Sequence, residues 1–309
     1  MDKTEFKEQI KVKAKELGFD LLGVCKPEYS PADHDHLLRW LEKGYHGDMH
    51  YMARNPRQRS DPRLFLDGVR SIVTVGMNYY KEPGYNADTP YISIYARGRQ
   101  YQNVLKSKLK TLMEFIKQKY PEVNGKIAVD TSPTFDKLWA LKAGLGWRGK
   151  NTLIINKKIG SFIFLGEIFL DIELNPDIPQ PDHCADCQIC LDACPTGALE
   201  QPYVLNAAKC ISYLTIEAKS ARQNPKLIGN HIFGCDLCQL ACPYNESAPF
   251  TQIPEFAPAE GFSIDFAHNW RSLTEIEYKN RYMGTILHDY GFNRYKKNLE
   301  MVEKNLKCD

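Results

Sequence analysis

Nowhere do the 309 residues stay apolar over the roughly 18–20 positions that a bilayer-crossing helix needs, so no such span and no membrane partner is expected. The opening Met1-Asp2-Lys3-Thr4-Glu5-Phe6 has neither an apolar signal core nor twin arginines, which points to the cytoplasm. Thiols stay reduced there, so the ten cysteines are not expected to form a disulfide scaffold. Net charge is scarce: 40 Lys and Arg against 38 Asp and Glu leave +2. No repeat of 20–50 residues is visible apart from two groups of cysteines. With 43% hydrophobic and 25% charged residues, wholesale disorder is also excluded.

The small net charge conceals an uneven distribution. Residues 91–160 hold fourteen Lys or Arg against four Asp or Glu, whereas residues 161–208 hold eight acids and no Lys or Arg. Such asymmetry suits two regions with different partners, although alternating solvated faces give the same counts. Tyr91, Tyr95 and Tyr101 are interleaved with Arg97, Arg99, Lys106, Lys108 and Lys110, a mixture that suits a nucleic-acid backbone.

Apolar periodicity predicts helices over 4–17, 32–43, 101–120 and 135–143, and strands over 19–24, 71–77 and 126–130. Segments 152–156 and 161–171 read as a hairpin. This alternation predicts an α/β (α+β) domain over residues 1–175. The proline-rich stretch Pro176–Pro181 reads as a linker into a cysteine-dense module, 176–246. A tail, 247–309, follows with a helical pattern near 283–307.

The module opens with Cys184-x2-Cys187-x2-Cys190-x3-Cys194-Pro195, the run of bacterial ferredoxins. Three cysteines in seven residues can curl around one iron–sulfur cube, while the fourth, before proline, reaches the other cube. Cys210 and the run Cys235-x2-Cys238-x3-Cys242-Pro243 supply the rest. Crossed ligation then gives Cys184, Cys187, Cys190 and Cys242 for one [4Fe–4S] cluster, and Cys194, Cys210, Cys235 and Cys238 for the other. Structural zinc sites usually present paired Cys-x2-Cys motifs instead. Cys25 and Cys308 are left as ordinary thiols. A ferredoxin would need only residues 180–246, so the preceding domain favours an enzyme over a ferredoxin-type electron-transfer protein.

Other motifs are weaker. Gly144-Leu-Gly-Trp-Arg-Gly149-Lys150-Asn151 nearly matches a P-loop, but Asn151 replaces the hydroxyl residue and the helix precedes rather than follows. Asp48, His50, His34 and His36 lack the spacing of a metal site. Asp130, at the end of a strand, either caps the next helix or presents a carboxyl that can deliver a proton.

Val129-Asp130-Thr131-Ser132-Pro133, Ala143-Gly-Leu-Gly-Trp-Arg-Gly-Lys-Asn151 and Tyr95-Ala-Arg-Gly-Arg-Gln-Tyr101 together resemble the epoxyqueuosine reductase family. Cys210-Ile-Ser-Tyr-Leu-Thr-Ile-Glu217 and Gly234-Cys-Asp-Leu-Cys-Gln239 add to the likeness. The resemblance implies reduction of the epoxide of epoxyqueuosine, at the wobble position of tRNA, to queuosine. It implies cob(I)alamin fed by the two clusters and bound without a protein histidine ligand, between an N-terminal α/β domain and a ferredoxin-like module. Asp130 becomes the proton donor, and Arg57, Arg97, Asp130, Asn151 and Ser212 become cobalamin contacts. Lys219, Arg222 and Lys226 could then meet tRNA phosphates. An external low-potential electron donor and a monomeric chain are expected. Long members carry a C-terminal helical-repeat domain, for which the tail leaves no room. The alternative from the related reductive dehalogenases is a cobalamin reductase of a small halogenated or epoxide substrate.

Overall fold

Phe6, Ile10 and Ala14 form one apolar stripe, and all three are buried along helix α1 (Lys3–Glu16). The computed structural model describes residues 3–219, 225–259 and 272–307, together with Phe262 and Trp270. After α1 come strand β1 (Leu21–Cys25), helices α2 (Pro31–Glu42) and α3 (Pro56–Ser60), and strand β2 (Ser71–Asn78). A short β3 (Tyr91–Ile92) precedes the long α4 (Tyr101–Lys119), β4 (Gly125–Ala128) and α5 (Asp136–Lys142). Strands β5 (Trp147–Arg148), β6 (Ile154–Ile155) and β7 (Ile163–Leu170) complete the N-terminal part.

The main sheet has the order β1-β2-β7-β4, with every neighbouring pair antiparallel. Mixed helix and strand content is as expected, but the rule for parallel sheets, that sites gather at the carboxyl ends, does not carry over. Val73, Val75, Ile168 and Leu170 cover one face and meet Phe6, Ile10, Leu105, Leu109 and Ile116 of α1 and α4. Ile72, Ala128 and Phe169 lie in the core on the other face, under Trp139 and Ala140 of α5. Burying each large side chain contributes about 1.5–3 kcal/mol. Gly23 lets α5 lie directly on β1: a Cβ there would stand 2.0 Å from the Ala143 carbonyl oxygen.

The expected hairpin of 152–156 with 161–171 is replaced by a different pairing. Strand β6 pairs with β5, and an Asn156–Gly160 bridge only closes the turn that leads into the second segment. Gly146 permits this, since a Cβ there would be 2.1 Å from the Ile155 carbonyl oxygen. Strand β7 is buried along most of its length, so it goes between β2 and β4. The expected linker is also strapped down. Asp177 exchanges backbone and side-chain hydrogen bonds with Val24 at 2.8 and 2.9 Å and accepts one from Lys7 at 2.8 Å, covering the β1 edge.

The cysteine module contains α6 (Ile189–Asp192), β8 (Leu199–Gln201), β9 (Val204–Leu205), α7 (Ile211–Ile216), β10 (His231–Phe233), α8 (Leu237–Leu240) and α9 (Pro243–Glu246). Strand β10 pairs in parallel with β3, joining the module to the N-terminal part. The tail forms α10 (Glu275–Arg281), α11 (Ile286–Tyr290) and α12 (Phe292–Leu306). Thr274 and Glu277 make a reciprocal capping box at the start of α10. Tyr278, Tyr282, Tyr295 and Val302 of the tail share one apolar cluster with Tyr213, Leu214, Ile232 and Phe233 of the module. No helix among the described residues is long and apolar enough to cross a membrane.

Candidate active site

Two residues beyond β4, Asp130 turns its backbone into the left-handed region with φ +49°. Its Oδ2 accepts a hydrogen bond from the Gln102 amide at 3.1 Å. Asp130 lines an open cavity of about 410 Å³ with Tyr51, Arg59, Asp136, Lys137 and Arg148. A second cavity of about 240 Å³ is lined by Asn151, Ser212 and four cysteines, Cys194, Cys210, Cys235 and Cys238. The two adjoin at Lys137, Thr152 and Leu205, which line both, and together they make a trough reaching from Asp130 toward the cysteines. Thr152 and Tyr203, also on its wall, have φ +69° and +66°. Left-handed backbone at a β-branched or bulky residue costs on the order of 1–3 kcal/mol, and here it collects around one concavity.

Charge in the trough is mixed. Burial first, then the Asp130 charge, raises Asp136 to about 7. Lys137, although its side chain is exposed, is lowered by desolvation from the groups around it, against the pull of Asp136. Tyr51 is pushed up to about 12 by burial and then by Glu217 and Asp130, which keeps its phenol protonated. Burial, followed by the Asp130 charge, also raises Tyr101. His36 is lowered by burial and by the Arg148 and Arg39 charges, so its imidazole is mostly neutral near pH 7. Arg59 donates to the Tyr51 carbonyl at 3.0 Å, but its buried Nε has no partner among the described residues. An open, polar-rimmed trough with unused donors fits a large ligand edged with amide and phosphate oxygens, as a corrin cofactor is.

The thiols fall into two groups. Burial, then Cys242, Cys184 and Cys187, raises Cys190 to about 11. Burial, a neighbouring N–H, the Asp236 charge and then Cys210 and Cys194 act on Cys235, with a net rise. Cys238 is raised by burial, then by Cys235 and Cys210. At Cys194 burial is outweighed by the N–H groups of Leu199, Ala198 and Thr196 and by the Thr196 hydroxyl, which lower it. Crowded, N–H-cradled sulfurs are what an iron–sulfur cube requires. No three His, Cys, Asp or Glu among the described residues are placed to grip a single metal ion. The zinc alternative would hold its thiolates about 3.8 Å apart, from tetrahedral bonds of about 2.3 Å.

Elements from the N-terminal part fix this module. Trp147 donates to the Cys184 sulfur at 3.4 Å, and Lys150 donates to the Ala185 carbonyl between Cys184 and Cys187. The glycine run before Lys150 therefore serves close backbone packing, and its lysine serves the cysteine loop. Asp236, buried between Cys235 and Cys238, accepts bonds from Tyr91, Ser93 and the Ile94 N–H at 2.8, 2.5 and 2.8 Å.

Of the expected cobalamin contacts, Asp130, Asn151 and Ser212 line the trough. Arg57 and Arg97 do not. Arg57 stacks on Tyr29, 5.2 Å from the ring centre. Arg97 is drawn to the carbonyls of Ile92 and Glu82 at 2.9 and 3.2 Å. Arg59 and Lys137 stand in the trough instead, and residue type alone did not single them out. Cys25 is buried in β1 with its thiol pushed up to about 12. Asp48 accepts from the Lys219 N–H at 2.8 Å and so serves the backbone. Arg222 and Cys308 lie outside the described residues.

Residues 183–245 match a 4Fe-4S double cluster binding domain, and residues 59–131 match the model described as Epoxyqueuosine reductase QueG, DUF1730. The chain is 41% identical over 302 residues to an epoxyqueuosine reductase of Leadbetterella byssophila, covering 97% of this chain and 99% of that one. To that of Escherichia coli it is 36% identical, covering 100% and 83%. An epoxyqueuosine reductase crystallised with an epoxyqueuosine-modified tRNA-Tyr stem loop superposes with a TM-score of 0.88 at 30% identity, covering 98% of this chain and 82% of that one. A Bacillus subtilis enzyme with its catalytic aspartate loop swung out of the active site gives 0.85 at 29% identity, covering 98% and 82%.

Proposed function

The chain belongs to the epoxyqueuosine reductase family, and from that premise we propose that it reduces the epoxide of epoxyqueuosine in tRNA at the trough, with Asp130 as proton donor. Two [4Fe–4S] clusters and cobalamin are the family's cofactors, and when bound they supply the electrons for opening the epoxide. The observation that carries the reading is the single trough running from the Asp130 carboxyl to four cysteines of the double-cluster module.

Cys184, Cys187, Cys190 and Cys242 hold one cluster, and Cys194, Cys210, Cys235 and Cys238 hold the other. The mutual crowding of thiols within each set supports this crossed assignment. Cys187 is exposed, so an external donor meets the first set from solvent, while the second faces the trough. Asn151 and Ser212 bound the cobalamin space on the cluster side, with Arg59 and Lys137 on the side of Asp130. Residues 1–175 act as the cobalamin-binding catalytic domain, 176–246 as the cluster module, and 247–309 as a tail packed on the core.

The substrate base must leave its loop to reach the trough, as single-stranded RNA readers require. Basic side chains of the 91–160 stretch supply sites for the phosphates. Asp130 places its acid proton at the epoxide oxygen as the ring opens. Reconstitution under nitrogen followed by cobalamin titration tests the site: a changed corrin spectrum on tight binding is expected, and no binding would sink the reading. Asp130→Asn is expected to keep both kinds of cofactor yet lose turnover by about 10²–10⁴-fold; full activity in that variant removes Asp130 as the acid.

A further inference from the structure

Converting an epoxide to an alkene breaks two C–O bonds and consumes two electrons and two protons, releasing one water. A low-potential one-electron reductant, delivering twice through the clusters, supplies the electrons. The first proton goes to the oxygen as the ring opens, and the second to the hydroxyl as it leaves as water. Asp130 carries one proton, so after the first cleavage its carboxylate has to be reloaded.

Behind Asp130 lies an unusual row across the sheet. Gly23, Thr74, Glu167 and Ala128 are paired side by side on the four strands. Glu167 shares a face with Phe169, two residues away, which places it on the side covered by α5. Asp130 follows Ala128 by two residues from the edge strand of that row. Asp136, in the first turn of α5, feels the charge of Asp130, and Glu167 in turn feels that of Asp136. Glu167 is fully buried, and neither of its carboxyl oxygens has a hydrogen-bond partner among the described residues. The Thr74 hydroxyl and Asp136 Oδ1 are likewise unpartnered. An ionised carboxylate is costly in such a place, so Glu167 rests as the neutral acid and is ionised only transiently, while Asp136 is empty of its proton. In the otherwise apolar run from Phe162 to Leu170, Glu167 is the single charge-bearing residue.

We propose that Asp136 and Glu167 are the proton reserve of the reaction, reprotonating Asp130 between the two C–O cleavages. The proton passes from Glu167 to Asp136 and from Asp136 to Asp130, and solvent refills the pair after product leaves. Burial raises both acids, so they hold their protons at neutral pH more fully than an exposed carboxyl does. The charged and titratable groups facing them are Asp130 after β4, Lys137 on α5, Arg59 on α3, Tyr101 on α4 and Cys25 on β1. Lys137 and Arg59 pull Asp136 down, which keeps it the readier donor of the two.

The proposal rests on the reductase reading, and its test separates the two. Infrared spectra of the substrate-free holoenzyme at neutral pH, in H₂O and D₂O, should contain the carbonyl stretch of a protonated carboxyl that Glu167→Gln removes. With substrate, Glu167→Gln and Asp136→Asn should each slow turnover about tenfold or more at neutral pH. Cobalamin and iron contents should stay unchanged. The deficit should narrow in acid, where hydronium can reload Asp130 directly. Asp136, at the start of its helix and less enclosed than Glu167, gives a second variant should the sheet not tolerate the first. Wild-type rates across the pH range in both variants, or an infrared spectrum with no carboxyl band lost, overturn the proposal. A wild-type chain that reduces no epoxyqueuosine overturns the functional reading instead, and leaves the infrared result standing.

Discussion

The indole N–H of Trp147 aims at the Cys184 sulfur from 3.4 Å, with the rings of His183 and Tyr244 set edge-on at 4.8 Å on either side. A hydrogen bond to a ligating sulfur stabilises the more negative, reduced cluster and so raises its potential. Trp147→Phe should therefore lower the potential of the first cluster by on the order of 20–60 mV, the one-electron equivalent of about 0.5–1.5 kcal/mol. Redox titration followed by electron paramagnetic resonance checks this; an unmoved midpoint means that the bond carries no weight. The eight cysteines proposed as ligands are legible because their spacing is itself the chemistry, and Asp130 because it follows a strand. Arg57 and Arg59 were harder to separate: they lie two apart on the single short turn of α3, so they leave it in different directions. Only the fold decides which of the two enters the trough. Glu167 left a readable trace as the lone acid in an apolar strand, but that residue type alone does not say whether it is paired.

Among the elements, β1 and α5 depend on one missing side chain. Adding a methyl group at Gly23 sets it 2.0 Å from the Ala143 carbonyl oxygen and 2.9 Å from the Leu145 side chain, so α5 must shift. Gly23→Ala is expected to destabilise the fold by about 1–3 kcal/mol, measurable as a lower denaturation midpoint. It should also disturb the trough, because α5 carries Asp136 and Lys137. An unchanged midpoint would mean that the contact is relieved at no cost. Helix positions followed directly from periodicity, as with the buried Leu105, Leu109, Leu112 and Ile116 on α4. Strand partners did not. A segment such as Ile163–Leu170, apolar on both faces, asks for neighbours on each side without naming them, and the fold supplies β2 and β4 from more than thirty residues away.

At the scale of the whole molecule, the basic and acidic stretches belong to different parts of the chain, and the small net charge averages them. The tail is tied to the elements that carry the second set of cysteines. The Asn298 amide on α12 donates to the carbonyls of Thr215 and Ile232 at 2.9 and 2.8 Å, bridging α7 to β10. Helix α7 begins immediately after Cys210, and β10 ends two residues before Cys235. Asn298→Ala should therefore loosen the second cluster before the first. Iron analysis and cluster spectra are expected to fall from two clusters toward one, whereas equal loss from both would contradict this. The same amide sets an order on biogenesis. All eight cysteines precede α12 in the chain, but the segments that carry Cys210 and Cys235 gain their clasp only once α12 has been synthesised and docked.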